Sequence, residues 1–442
     1  MKILLYSMNF APELAGIGKY SGEMAQWLSA RGHEVRVIAS PPFFPQWAVF
    51  EGHSAWAYRK TVSNGVTVWR APTWVPSRPR ALGRIAHLFS FMLSSIPLLF
   101  AQTRWKPDVV FVVEPPLFCA PAALLFSKVL GIKSWLHIQD YEVDAAFELG
   151  WVRGERVRRF AMSAEHWLLS RFSRVSTISR AMMDKARSKG IDESRLVLFP
   201  NWVDVSAIRP GAPATAPAQG YRPTLGIPGD AVVVLYAGSL GSKQGIELLA
   251  DAARLLAAAR HIHFVFCGNG PSREPLMAAC AQLANVHFLD LQPAERLNEL
   301  LGMADIHVLP QRADAADLVM PSKLGGMLAS GKAVIVTAHA GTELSNVVSG
   351  RGLVVAPGDA DALADAIARL ASSRQRREEM GAAGRAFAEA ELDQNAILQR
   401  LEQELVRCVA GLTPCPPEHT EPMEPTEHTR LACPPAPLPK SW

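Results

Sequence analysis

The same local pattern opens this chain twice, near residue 2 and again near residue 231. Lys2 to Phe10 is a short apolar run, the glycine loop AGIGKYSGEM follows it, and Met24, Trp27 and Leu28 then recur at helical spacing. In the second half AVVVLYAG, GSLGSKQG and IELLADAARLLAAA repeat that succession of apolar run, glycine loop and amphipathic segment. A strand that feeds a helix through a tight turn returns parallel to itself, because the right-handed crossover packs the helix back onto the sheet. Each half is therefore predicted to be a Rossmann-like, doubly wound α/β domain.

The first domain continues with strands at GHEVRVIAS, DVVFVV, SWLHI and RVSTIS, and the second with HFVFCGNG, ADIHVLP, AVIVTA and GLVVAP. Residues 207–230 are dense in Pro, Gly and Ala and break both periodicities, which predicts a linker. The expected organisation is a first domain over 1–206, the linker, a second domain over 231–410 that includes a final helix, and a disordered Pro-rich tail over 411–442.

Composition narrows the function. Hydrophobic residues at 49% and charged residues at 19% argue for packed cores. A net charge of +4 is too small for a dedicated nucleic-acid binder, so no nucleic-acid partner is expected. The six cysteines are scattered without a closely spaced pair, which predicts a reduced, cytoplasmic chain without a structural metal. The start, MKILLYSMNF, does not read as a signal peptide.

Four segments offer chemistry. In the first glycine loop, Gly16 and Gly18 lie where backbone amides can approach a phosphate at a helix N-terminus. The following strand ends in Ala39 and Ser40 rather than in an acidic residue, which argues against NAD. The second loop places Gly238, Gly241 and Gly245 around Lys243, a cation suited to a diphosphate, at a spacing that is not a P-loop. In MPSKLGGMLASGKAVIV a loop through Asp314 and Asp317 leads to a helix starting near Pro321, with Ser322 and Lys323 in its first turn. A lysine there opposes the helix dipole unless an anion binds. LHIQDYEVD is expected to set His137, Gln139 and Asp140 on a loop at a strand's C-terminal end, where parallel sheets bind ligands, with Asp144 close by.

These segments together resemble the retaining family 4 glycosyltransferases of the GT-B fold, and most nearly those of bacterial colanic acid biosynthesis. The likeness runs from Met1 to about residue 405, through PELAGIGKYSGEMAQWLSARGHEVRVI, FPNWVDVSAIRP, CGNGPSREPL, VHFLDLQPAERLNELLGMADIHVLP and GRGLVVAPGDADALADAI. The chain departs from the family at Ser239, where an arginine is common, and Lys243 stands about one position early. A glutamate pair about eight positions apart is also missing, its places falling near Leu318 and Gly326, and Pro321, Ser322 and Lys323 stand in its stead.

The resemblance implies two Rossmann-like domains facing each other across a cleft, with a nucleotide diphosphate sugar bound mainly to the second and an acceptor mainly to the first. It implies metal-independent, retaining hexosyl transfer without a cofactor, with GDP-fucose suggested as donor. His137, Lys243 and Lys323 take the catalytic roles. Gly16, Gly18, Gly238, Ser239, Ser322, Lys323 and Glu343 bind the donor, and His137 and Asp140 the acceptor.

From residue 52 to 107 there is no Asp or Glu, and within this stretch ALGRIAHLFSFMLSSIPLLFAQTRW is apolar between Arg84 and Arg104. It is barely long enough to span a bilayer, is interrupted by His87, serines and Pro97, and lies between two strands of one domain. An interfacial or partly buried helix fits better, with Arg78, Arg80 and Arg84 toward anionic lipid. That suits a peripheral enzyme on the inner face of the cytoplasmic membrane, acting on a polyprenyl diphosphate-linked glycan. A GT-B sugar-nucleotide epimerase and a non-catalytic, membrane-associated assembly protein are the alternatives.

Overall fold

The computed structural model describes residues 1–77, 81–148, 154–211, 220–241, 244–312 and 321–415. The chain divides into two compact units, one of Met1–Pro200 with the chain from Leu398 onward, the other of Asn201–Ile397. Lys243, Asp314, Asp317, Arg78 and Arg80, and most of the predicted tail, lie outside the described residues.

The first unit is built on β1 (Lys2–Tyr6), β2 (Glu34–Ala39), β3 (Arg59–Ser63), β4 (Val66–Arg70), β5 (Val109–Glu114), β6 (Lys133–Ile138), β7 (Arg174–Thr177) and β8 (Leu196–Leu198). They form one sheet in the order β3-β4-β2-β1-β5-β6-β7-β8. Leu5 of β1 pairs with Val37 on one side and Phe111 on the other, both in parallel register. The sheet is covered on both faces, which is why β5 reads VVFVVE and is buried throughout. The predicted strand that precedes the long apolar segment, β4, is joined by an unpredicted antiparallel partner, β3. Their turn, Asn64–Gly65, has positive φ at both residues, as a two-residue hairpin turn requires, and β3 is an exposed edge.

The apolar segment after β4 forms the helix Ala81–Ala101. His87, Phe91, Ser95 and Leu99 recur every four residues and form its buried stripe, while Leu82, Phe89 and Leu93 are exposed. Tyr6 Oη and Ser95 Oγ are 2.5 Å apart, and the Tyr58 hydroxyl donates to the Ser94 carbonyl at 2.8 Å. Over Leu82–Arg104 the chain is long and apolar enough to cross a membrane by length and composition, yet one face of this helix is packed onto the domain. Arg84 is half-buried, its guanidinium 5.3 Å from the centre of the Trp47 ring.

The second unit carries β9 (Val232–Ala237), β10 (Ile262–Cys267), β11 (Val286–Leu289), β12 (Ile306–Leu309), β13 (Ala333–Thr337) and β14 (Leu353–Val355), ordered β11-β10-β9-β12-β13-β14 and parallel throughout. Alternation along β9 divides its core. Val232, Val234 and Tyr236 pack with Phe264, Ile306 and Ile335, whereas Val233 and Leu235 pack with Val265, Leu300 and Tyr221.

The predicted boundaries shift for packing reasons. Residues 220–230 are not linker, since Tyr221 and Ile227 enter the second core and Arg222 pairs with Asp305 at 2.7 Å. Residues 201–206 also belong to the second unit. Val203 sits in its core, and Arg385 clamps the segment by donating to the carbonyls of Val205 and Ile208. The final helix, Gln394–Val409, joins the first unit from Leu398, where Glu402 meets His33 at 2.8 Å and Arg31 at 3.2 Å.

Candidate active site

In an open parallel sheet, ligands bind beyond the strand C-termini where the strand order reverses. In the second unit that point lies between β9 and β12. The chain leaves β9 through Gly238, whose φ of 142° favours glycine, and leaves β10 through Gly268 and Gly270, at 143° and 154°. The two exits interlock. A Cβ on Gly268 would stand 1.9 Å from the Gly238 carbonyl oxygen, and one on Gly270 would stand 2.3 Å from that of Leu240. The amides of Gly238 and Leu240 donate to the carbonyls of Cys267 and Asn269 at 2.8 and 3.0 Å. The CGNG turn thus fixes the loop after β9.

Lys323 is the first residue of the helix Lys323–Ala329, with Ser322 exposed at its N-cap. Its side chain runs over Gly238, where a Cβ would lie 2.1 Å from Lys323 Cε and 2.4 Å from Nζ. The ammonium donates to the Tyr236 hydroxyl at 2.8 Å and lies 4.5 Å from that ring's centre, and the hydroxyl in turn donates to the Ser239 carbonyl at 2.6 Å. No carboxylate pairs with Lys323 among the described residues. Burial without a counter-charge lowers its ammonium to about 8. A half-buried cation at a switch point and a helix start is the arrangement a diphosphate would neutralise. Glu343 follows β13 at the start of the helix Glu343–Val348, whose N-cap is Thr342.

In the first unit the order reverses between β1 and β5. Here Gly18 lies against a carboxylate of its own loop. A Cβ there would lie 2.5 Å from Glu13 Oε2, so the missing side chain makes room for a carboxylate of the same loop. Glu13 is buried and accepts from the amides of Phe43 and Phe44 at 2.9 and 3.0 Å and from Asn9 Nδ2 at 2.9 Å. Gly16 begins the helix Gly16–Ala30 with φ +58°, and a Cβ there would meet only Phe44, at 3.7 Å.

His137 lies within β6, not on the loop after it. Its Nδ1 is 2.9 Å from Ser176 Oγ and its Nε2 2.9 Å from Gln139 Nε2, and it packs against Phe111 and Phe199. At 3% exposure, burial pushes the imidazole down to about 3, and the ring is neutral at ordinary pH. Asp140 is exposed on the loop that follows, and Asp144 pairs with Lys185 and Lys189 at 2.7 and 2.6 Å.

Sequence reasoning missed Tyr236 and Glu13. Tyr236 is one ring in an apolar strand, and its place two residues before the loop glycine was the available signal. The partners of Glu13 are backbone amides thirty residues downstream.

Two parallel-sheet domains, each with its own switch point, define the GT-B class of glycosyltransferase. Sucrose-phosphate synthase from Thermosynechococcus elongatus superposes with a TM-score of 0.72 at 18% identity over 92% of this chain and 99% of that one. Anabaena Alr3699/HepE, solved with UDP-glucose, gives 0.65 at 16% over 92% and 99%. A model described as a glycosyl transferase 4-like domain matches residues 15–202, and one described as glycosyl transferases group 1 matches residues 219–387. The putative colanic acid biosynthesis glycosyl transferase WcaI of Escherichia coli (strain K12) is 44% identical over 370 residues, 82% of this chain and 90% of that protein. A GDP-mannose-dependent monoacylated alpha-(1-6)-phosphatidylinositol monomannoside mannosyltransferase of Corynebacterium glutamicum is 30% identical over 90% of this chain and 96% of its own length. The chain belongs to the group 1 glycosyltransferases, with a 4-like N-terminal domain, and is a glycosyltransferase.

Proposed function

We propose that the protein transfers a hexosyl group, with retention at the anomeric carbon, from a nucleotide diphosphate sugar to a polyprenyl diphosphate-linked glycan during assembly of a colanic acid-like exopolysaccharide. GDP-fucose is the first donor to test. The likeness to WcaI supports the pathway, and Anabaena Alr3699/HepE, solved in complex with UDP and with UDP-glucose, supports a nucleotide sugar. The observation that carries the reading is Lys323, a half-buried cation without a described carboxylate at the switch point of the second sheet.

In this reaction the acceptor oxygen bonds to the anomeric carbon as the bond from that carbon to the diphosphate oxygen breaks on the same face. The acceptor's proton passes to the departing phosphate. Lys323, together with Lys243 of the GSLGSKQG sequence, holds the charge that develops on the leaving group, so no metal is needed for it. Ser322, Ser239, Gly238 and Glu343 complete the donor contacts. The neutral, buried His137 orients Gln139 and the loop of Asp140 for the acceptor and takes no proton itself.

The acceptor's lipid places the enzyme on the inner face of the cytoplasmic membrane. The exposed Leu82, Phe89 and Leu93 of the helix Ala81–Ala101, which also carries Arg84, meet the anionic surface. The test is transfer from GDP-, UDP-, ADP- and dTDP-sugars to a lipid-linked acceptor with EDTA present, the product's anomeric configuration being read by NMR. A product with the same anomeric configuration as the donor, formed in EDTA, supports the reading. An inverted product or a strict metal requirement refutes it.

A further inference from the structure

At the N-terminal ends of β6, β7 and β8 the first unit holds a cavity of about 360 Å³. This is the sheet edge opposite the strand C-termini where the acceptor is placed. Lys133 opens β6, Arg174 opens β7, Arg195 immediately precedes β8, and Arg171 lies in the turn before β7. Ser173 and Ser194 add hydroxyls, and no Asp or Glu among the described residues lines the cavity. Its remaining wall includes Leu412, from the segment after the final helix.

The three arginines are held by carbonyls rather than by anions. Arg174, 8% exposed, donates from Nη1 to the Ser173 carbonyl at 2.9 Å and from Nη2 to the Leu412 carbonyl, while its Nε has no hydrogen-bond partner. Arg195 donates to the Ser170 carbonyl at 2.5 Å. Arg171 donates to the Trp167 carbonyl at 2.7 Å and stacks 3.7 Å from that ring's centre. None of the four is in an ion pair among the described residues. Glu404 and Asp192 act on Arg174 and Arg195 without lining the cavity, and the second carboxylate oxygen of Glu404 is buried without a hydrogen-bond partner. Glu404 takes the Cys415 amide at 2.9 Å, and Asp192 takes the Ser194 amide at 2.8 Å and the Ser194 hydroxyl at 2.6 Å.

Four like charges around one cavity repel each other unless an anion joins them. Guanidinium forks match phosphate oxygens two at a time, and a lysine adds a point charge. We propose that this cavity binds a soluble small molecule carrying a diphosphate group, at a site separate from the sugar-donor pocket. Arg174 spans the cavity and the Leu412 carbonyl, so the bound anion also secures the segment that follows the final helix.

The test is calorimetric titration of the full chain with inorganic pyrophosphate in a Lys243→Ala, Lys323→Ala background, which removes both cations assigned to the donor's diphosphate. Saturable one-site binding is expected, with Kd raised at least tenfold when Lys133→Gln and Arg195→Gln are added and circular dichroism is unchanged. Should that combination fail to fold, Lys133→Gln alone is expected to raise Kd about threefold or more, since its ammonium makes no described hydrogen bond. Absence of binding, or binding indifferent to these substitutions, overturns the proposal. Binding to phosphatidylglycerol vesicles but not to pyrophosphate also overturns it, in favour of a membrane contact.

Discussion

Lys323 lies in the space that a side chain at Gly238 would fill, its Cε 2.1 Å from where that Cβ would stand. The lysine comes from the helix after β12 and the glycine from the loop after β9, so this contact joins the two strands that flank the switch point of the second sheet. Four predictions follow from this geometry or contrast with it, and a fifth tests it directly.

Gly238→Ala displaces the lysine and also strains a backbone at φ 142°. The expected result is a fall in kcat/KM close to that of Lys323→Ala. The double variant should be little worse than either alone, because both remove one interaction. Additive losses would separate the two residues.

Tyr236→Phe keeps the ring under the ammonium and removes the hydroxyl that links Lys323 to the Ser239 carbonyl. A hydrogen bond to a charged group contributes about 1.5–3 kcal/mol, so a loss of about tenfold or more in kcat/KM for the donor is expected at nearly wild-type Tm. Unchanged kinetics would reduce Tyr236 to packing.

The Lys323 ammonium is lowered to about 8, so the free enzyme loses this cation as pH rises through that value. The pH profile of kcat/KM for the donor should therefore fall on the alkaline side from about pH 8. In Lys323→Arg that limb should move upward, out of the measurable range, because a guanidinium keeps its proton. A limb unmoved by the substitution would assign it to another group.

Gly18→Ala separates packing from phosphate contact in the first glycine loop. The new methyl would meet Glu13 Oε2, at 2.5 Å from its Cβ, and a stability loss of about 1–3 kcal/mol is expected. KM for the donor should stay near wild type below the lowered Tm. A large rise in donor KM without a change in Tm would support the phosphate reading.

The sheets were legible because parallel strands covered on both faces become continuous apolar runs, as in DVVFVV and AVVVLYAG. The strands β3, β8 and β11 escaped notice because β3 is a polar, fully exposed edge and the others are three or four residues long. Pro, Gly and Ala at 207–230 suggested a linker, since composition cannot reveal that Tyr221 and Ile227 anchor in a core or that Arg222 holds Asp305. Lys323 was legible because a lysine at a helix start conflicts with the dipole, a local conflict of the kind that marks function. The burial of His137 and the contact between Gly18 and Glu13 depend on residues far away in the chain, which local sequence does not report.

The central claim is that Lys323 supplies the counter-charge for the donor's diphosphate. Its most direct test is calorimetric titration of GDP, with UDP in parallel, into the wild type and into Lys323→Ala at pH 7, where the ammonium is charged. Loss of a charge-assisted contact of about 1.5–3 kcal/mol predicts that the preferred nucleotide binds roughly ten- to a hundredfold more weakly to the variant, with the fold intact. Equal affinity for wild type and variant would contradict the account.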